Sequence, residues 1–276
     1  MTPLPYLSTI QLSGADAGDF LHNQLSADVL ALSDSESVFA CYCEPKGRVL
    51  ALMLVCRFNE SYYVVMSSAL CATVSSRLKM YVMRSKVNIE VLDEIAVTGT
   101  EAEQAPVSPS GSFPVIPVPD SNQWLSMTDA SQKTEDTGPQ DIWKMSELRR
   151  GISWLCPQTS GQFLPQMLGF DKIGAVNYRK GCYPGQEIVA RTHYLGKVKR
   201  HPRLLCTSEV TCPDPLEKVR VYSGDKSDDA VMVDRVEVDG VGGCLFVISR
   251  MDPELVADRI EYQGFSAPVL NETDNQ

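Results

Sequence analysis

Alternating apolar and polar residues in the first third of the chain predict a β-meander. The apolar-rich segments run over 38–43, 49–57 and 62–67, each of strand length, and turn-forming residues separate them. Those turns are Glu44-Pro45-Lys46-Gly47 and Asn59-Glu60-Ser61. Over 69–81 the apolar residues recur three and four positions apart, which predicts an amphipathic helix after the third strand.

The rest of the chain predicts further strands, two helices and a strand-rich C-terminal part. Proline, serine, glutamine and aspartate dominate from about 100 to 139, where a linker is expected over 101–112. One helix is predicted over 141–150 with its stop at Gly151, and another from Gln186 with a stop at Gly196. Strands are predicted at 86–92, 95–98, 124–127, 203–210, 219–223, 230–238 and 243–249. The last four, short and separated by turns, predict a small barrel or sandwich.

Length and composition allow two or three small domains around buried cores. The sequence has 276 residues, 43% of them hydrophobic. It contains no apolar run of 18 residues, and its first residues are neither basic nor strongly apolar. We therefore expect a cytoplasmic protein without a membrane segment. Its nine cysteines lie mostly within apolar runs, so we expect small core residues rather than a disulfide framework.

The residue pattern gives little support to metal or nucleotide chemistry. Only three histidines are present, too few for a histidine-rich cage, and Cys41-x-Cys43 has no second ligand pair nearby. We therefore predict no metal site. The glycine-rich nucleotide-binding motifs and the serine-hydrolase motif do not occur in the sequence.

The segment 179–187, Arg-Lys-Gly-Cys-Tyr-Pro-Gly-Gln-Glu, is the strongest candidate for chemistry. It places Cys182 between a basic pair and the predicted helix start, where the helix dipole and nearby cations favour the thiolate. Residues 179–203 carry seven Lys or Arg and one acid, a net charge of +6, although the whole chain carries −10. A basic patch on an acidic protein suggests a site for an anion. The alternative is a structural cysteine held by tight packing.

The motif Lys-Gly-Cys-Tyr-x-Gly-Gln-Glu at 180–187 resembles the signature of the YgfZ family, folate-binding relatives of the glycine-cleavage T-protein (GcvT). The resemblance extends in order and rough spacing from about residue 4 to about residue 250. Its other segments are Leu12–Asp16, Phe20–Leu21, Gln24–Val29, Glu44–Arg48, Ser160–Gln166, Ile188–Arg191 and Lys199–Arg200.

This resemblance implies an α+β fold of the GcvT-like aminomethyltransferase folate-binding type with a small C-terminal β-barrel. The N-terminal folate-binding region would span 1–197, with an inserted ferredoxin-like part at about 46–139. The barrel domain would span 198–276.

The resemblance also implies tetrahydrofolate or a derivative as the ligand, with Cys182 and Lys180 as catalytic residues. The predicted folate-binding residues are Tyr6, Trp143, Gln186 and Arg191. A pterin ring asks for aromatic stacking partners and a glutamate tail for cations. Trp143 has the alternative role of a core anchor, and Arg191 the alternative of an exposed ion pair with Glu187.

Two positions depart from the family pattern. The T-protein has an acidic residue in the strand after its first hairpin turn, where this chain has Ala51 and Leu52. An apolar side chain cannot steer a proton. Relatives commonly have a Glu that grips the pterin where this chain has Arg149, which leaves folate binding to depend on another acid such as Glu147.

The predicted function is therefore a YgfZ-like, folate-linked role in assembly or repair of iron–sulfur enzymes, including radical enzymes that modify tRNA. Expected partners are folate and iron–sulfur enzymes or assembly factors, and the protein is expected to be a monomer. The alternative is a tetrahydrofolate-dependent aminomethyltransferase, against which Ala51 and Leu52 argue. Direct tRNA binding through residues 179–203 is a third hypothesis, and the acidic overall charge argues against it.

Overall fold

Three antiparallel sheets and five α-helices form the part of the protein that the computed structural model describes, residues 1–108, 111–130, 138–207, 213–238 and 242–270. The helices are α1 (Ala17–Gln24), α2 (Ser68–Val82), α3 (Gly138–Arg149), α4 (Pro165–Leu168) and α5 (Gln186–Tyr194). The strands are β1 (Thr2–Pro3), β2 (Leu7–Ser13), β3 (Ser37–Cys43), β4 (Val49–Phe58), β5 (Ser61–Ser67), β6 (Asn88–Val91), β7 (Ile95–Glu101), β8 (Val115–Pro117), β9 (Gln123–Asp129), β10 (His201–Thr207), β11 (Lys218–Ser223), β12 (Lys226–Val238), β13 (Gly242–Ser249), β14 (Arg259–Tyr262) and β15 (Phe265–Pro268). This mixture confirms the predicted α+β class.

The predicted meander forms one side of a five-stranded sheet with the order β3-β4-β5-β2-β6. Strand β4 is buried over most of its length, which explains why its sequence is a nearly continuous apolar run. Helix α2 lies against this sheet through the apolar stripe of Leu70, Val74 and Leu78. A four-stranded sheet, β1-β7-β9-β8, continues the core, because Leu4, just after β1, donates its backbone N–H to Val97.

The C-terminal strands form a closed six-stranded sheet, called the barrel below. Its order is β10-β13-β12-β11-β14-β15. The segment after β15 returns to β10, where Leu270 donates its backbone N–H to the carbonyl of Cys206 at 2.7 Å. The closure satisfies edge groups of β10 that an open sheet would leave exposed. A separate apolar cluster, including Val219, Val221 and Met232, fills the interior.

One disulfide corrects the expectation for the cysteines. Cys206 on β10 and Cys244 on β13 are bonded to each other. They are directly opposite in the antiparallel register of the two strands. The sequence could not show this pairing, because the two cysteines are 38 residues apart and only the register brings them together.

Several element boundaries differ from prediction at chain ends and turns. Helix α5 ends at Tyr194, where Leu195 donates its N–H to Arg191, so Gly196 is not the residue that stops it. Strand β10 begins at His201, and residues 208–210 of the predicted strand lie outside the described residues. Gly151 follows α3 with φ of 78°, as its predicted role as a left-handed stop requires.

Candidate functional site

The loop that carries Cys182 packs backbone to backbone on the turn between β3 and β4. Gly185 has φ of 83°, and a Cβ there would lie 2.5 Å from the carbonyl oxygen of Glu44 and 2.6 Å from Cα of Gly47. Gly47 has φ of 77° and closes the turn by donating its N–H to Glu44 at 2.8 Å. The two segments that resemble the family most strongly are therefore one structural unit, and neither glycine leaves room for a side chain.

Lys180 anchors the other end of this loop to helix α1. Its buried ammonium donates to the carbonyl of Leu25 at 2.7 Å and to the carbonyl of His22. Carbonyls at a helix C-terminus lack intrahelical partners and attract cations. Burial lowers the pKa of Lys180 to about 8, and the charges of Asp28 and Cys182 oppose that shift. The predicted catalytic role of Lys180 remains a prediction beside this structural one.

Gln186 closes the loop from within. Its Nε2 donates to the carbonyl of Lys180 at 3.2 Å, and its backbone N–H donates to Tyr183 at 3.2 Å. Its side-chain amide thus holds the loop in shape at the first position of α5. The predicted contact of Gln186 with folate remains a prediction.

Cys182 stands apart from the other thiols because it is exposed. Of the free cysteines that the structure describes, Cys156 is half-buried and four are buried. Burial raises the pKa of Cys41 and Cys56 to about 12 and that of Cys71 to about 11. Burial also raises the pKa of Cys43, so these four thiols are poor nucleophiles at neutral pH.

A second cluster forms around Glu147, a buried acid of helix α3. Its Oε2 accepts a hydrogen bond from the hydroxyl of Tyr6 at 2.9 Å, and its Oε1 accepts one from Nε1 of Trp143 at 3.1 Å. Trp143 and Glu147 meet because residues four apart lie on the same helix face. The structure thus brings the two predicted aromatic residues to one carboxyl group.

The Trp143 ring also lines a cavity of about 580 Å³ between α3 and the N-terminal strand. A Cβ at Gly99 would lie 2.7 Å from the ring, so the indole rests directly on the backbone of β7. Ser146, Thr100 and Glu101 add polar groups to the cavity wall. An apolar wall with a few polar groups is typical of a small-molecule site.

Burial raises the pKa of Glu147 to about 7. Trp154, Tyr6 and Trp143 lower it from a still higher value. Trp154 acts by proximity, because its indole N–H forms no hydrogen bond of acceptable geometry. A carboxyl group with such a pKa exchanges its proton near neutrality, which is common at functional sites.

We expect Glu147 to make the stability of the protein depend on pH between about 5 and 8. A pKa raised on folding means that the folded state binds the proton more tightly, so this contribution is complete below pH 4.5 and is lost as pH rises through 7. The full loss corresponds to about 3 kcal/mol of unfolding free energy. Urea denaturation of the wild type and Glu147→Gln at several pH values measures it. Parallel pH curves for the two proteins would show that Glu147 ionises normally.

Lys144 connects this cluster to the barrel. Its Nζ is 2.8 Å from Oδ1 of Asp234 on β12 and 5.8 Å from the centroid of the Tyr6 ring. Ser153 donates to the other oxygen of Asp234 at 3.3 Å. A cation therefore stands beside Tyr6 where α3 meets the barrel.

Arg191 and Arg149 lie away from this cluster. Arg191 is exposed on α5 and pairs weakly with Glu187 at 3.9 Å, which is the alternative predicted from the i,i+4 spacing. No hydrogen bond or ion pair within the described ranges joins Arg191 to Tyr6 or Trp143. Arg149 is exposed, and the acid of α3 that faces the aromatic residues is Glu147, two positions earlier.

Ala51 and Leu52 are both fully buried in β4. Ala51 is opposite Tyr42, and Leu52 is opposite Cys41, in the β3–β4 register. These two positions therefore present no carboxylate to a ligand.

The helices of the described residues include none that is long and apolar enough to cross a membrane.

Comparison with known proteins gives consistent relatives. No family model matches the chain. An uncharacterised protein of Haemophilus influenzae is 30% identical over 195 residues, covering 69% of this chain and 68% of that protein. The tRNA-modifying protein YgfZ of Aliivibrio fischeri is 29% identical over 217 residues, covering 71% and 67%. The protein of the same name from Klebsiella pneumoniae is 27% identical over 240 residues, covering 78% and 73%.

Among solved structures, the glycine cleavage system aminomethyltransferase T of Bartonella henselae matches with a TM-score of 0.69. The match covers 98% of this chain and 84% of that one at 13% identity, which establishes the fold alone. The sequence relatives and this shared fold agree with the signature at 180–187 and with its docking on the first hairpin turn. The chain belongs to the YgfZ family and has the fold of the glycine-cleavage T-protein.

Proposed function

We propose that this protein binds tetrahydrofolate or a derivative and supports assembly or repair of iron–sulfur enzymes, including radical enzymes that modify tRNA. The name of its relatives, tRNA-modifying protein, and the T-protein fold support this function. The observation that carries the folate part is the joint placement of Tyr6 and Trp143 on Glu147 beside a cavity.

The residues of this cluster fit the chemistry of folate. Trp143 offers a flat apolar surface to a pterin ring, Lys144 offers a cation to a carboxylate, and Ser146 offers a hydroxyl on the cavity wall. Both oxygens of Glu147 already accept hydrogen bonds, so its role is to fix the two aromatic rings. Bound folate would supply a one-carbon unit or a reducing ring.

Cys182 would supply the nucleophile of the proposed chemistry. The loop presents its side chain to solvent, while Lys180 and Gly185 fix the backbone on either side. A thiol held in this way can reach a partner protein without unfolding of the loop.

Aminomethyl transfer of the T-protein type is not favoured. The acid that serves this transfer would lie in β4, and its place is taken by Ala51 and Leu52 in the apolar core. General acid–base groups contribute roughly 10²–10⁴-fold in rate, and neither side chain can replace one.

We expect tetrahydrofolate to bind with measurable heat in isothermal titration and to quench the fluorescence of Trp143. Quenching should disappear in Trp143→Phe and persist in Trp124→Phe, because the Trp124 indole donates to Ala102 and does not line the cavity. Binding should weaken as salt rises if tail carboxylates meet cations. Absence of heat and quenching at millimolar ligand would refute the folate part of the proposal.

A further inference from the structure

Helix α1 presents a histidine to the loop that carries Cys182. His22 lies in the last turn of α1, with its side chain 15% exposed. Its Nε2 is 3.5 Å from the place where a Cβ of Gly181 would stand, and Gly181 is the residue before Cys182. The same turn is fixed to the loop from the opposite direction, because Lys180 donates to the carbonyl of His22.

Asp28 orients the other side of this imidazole. Its Oδ1 is 3.2 Å from Nδ1 of His22, although the two groups are not aligned as a hydrogen bond. Catalytic hydrogen bonds are often poorly aligned in the free protein and tighten when a ligand binds. A carboxylate beside Nδ1 favours the tautomer with the proton on Nδ1, which leaves the lone pair of Nε2 toward the loop.

The charges around His22 keep it neutral and able to accept a proton. Burial and the charge of Lys180 lower its pKa, while Asp28 and Asp19 oppose that shift. These three groups come from the loop, from the segment after α1 and from α1 itself, which are the elements that face the imidazole.

We propose that His22, oriented by Asp28, is the proton acceptor that activates the Cys182 thiol. Nε2 takes the proton from Sγ, so the neutral pair becomes an imidazolium and a thiolate, and the thiolate then attacks an electrophile with its electron pair. The proton stays on His22 until the leaving group or water takes it. The inference rests on the proposed nucleophilic role of Cys182, and it does not depend on folate binding.

The test is the rate at which iodoacetamide alkylates Cys182, followed by peptide mass spectrometry across a range of pH. The thiolate displaces iodide, so the rate reports the thiolate population. We expect His22→Gln to slow alkylation of Cys182 by about tenfold near pH 6.5, where an imidazolium–thiolate pair would supply thiolate that the variant lacks. The ultraviolet absorbance of the thiolate should fall in parallel.

Cys156 provides the internal control, because its half-buried thiol contacts Thr159 at 3.4 Å and should react equally in both proteins. Asp28→Asn should reproduce part of the effect while leaving the imidazole in place, and it serves if His22→Gln misfolds. Equal rates for Cys182 in the wild type and in both variants would overturn the proposal. A loss of folate binding with the rate effect intact would count against the folate site alone.

Discussion

Replacing Gly185 by alanine is expected to destabilise the protein by about 3–5 kcal/mol, a large share of the stability of a typical domain. The new Cβ would lie 2.5 Å from the carbonyl oxygen of Glu44 and 2.7 Å from the backbone nitrogen of Gly47. Both neighbours are backbone atoms of a closed turn, so neither can move aside cheaply. The positive φ of 83° adds a conformational cost for any residue with a Cβ.

Gly224→Ala is the matched control for this substitution. Gly224 also has a positive φ, 56°, but a Cβ there would meet no atom within 4 Å. Its cost, about 1–2 kcal/mol, measures the backbone preference without the clash. Urea denaturation of both variants separates the two effects. If Gly185→Ala costs no more than Gly224→Ala, the loop does not pack on the hairpin turn as the structure has it.

The sequence predicted the elements whose local pattern decides their structure. Strands β3, β4 and β5 and helix α2 form close to the predicted ranges because apolar periodicity sets both the element and its buried face. The strand β2 and the helix α1 carry recognisable family residues, but their short mixed patterns do not distinguish helix from strand. The link between Lys180 and α1 depends on tertiary packing, which no local pattern encodes.

The candidate site shows the same division. Tyr6 and Trp143 could be proposed from the resemblance, because the positions of aromatic residues are visible in the sequence. The acid between them is Glu147 rather than the residue at 149, and the difference of two positions turns a side chain from the exposed face of α3 to its buried face. His22 gave no signal beyond its residue type, since its partner Asp28 and the loop at Gly181 meet it only in the folded protein.

Replacing Cys182 by serine is expected to abolish function while leaving the fold intact. Serine is nearly isosteric with cysteine, and the side chain at 182 is exposed, so the substitution removes no core contact. A serine hydroxyl ionises far less readily than a thiol, so the nucleophile is lost at neutral pH. The measurement is complementation of a strain lacking its own copy of the gene, scored by the activity of an iron–sulfur enzyme and by the level of modified tRNA.

Cys156→Ser is the matched control, since it removes another accessible thiol that lies outside the signature loop. It should complement as well as the wild type, and thermal unfolding should show both variants folded. A folded Cys182→Ser protein that restores full activity would show that the exposed thiol has no chemical role. The signature would then act through its backbone, because Lys180, Gly185 and Gln186 would still hold the loop between helix α1 and the hairpin turn.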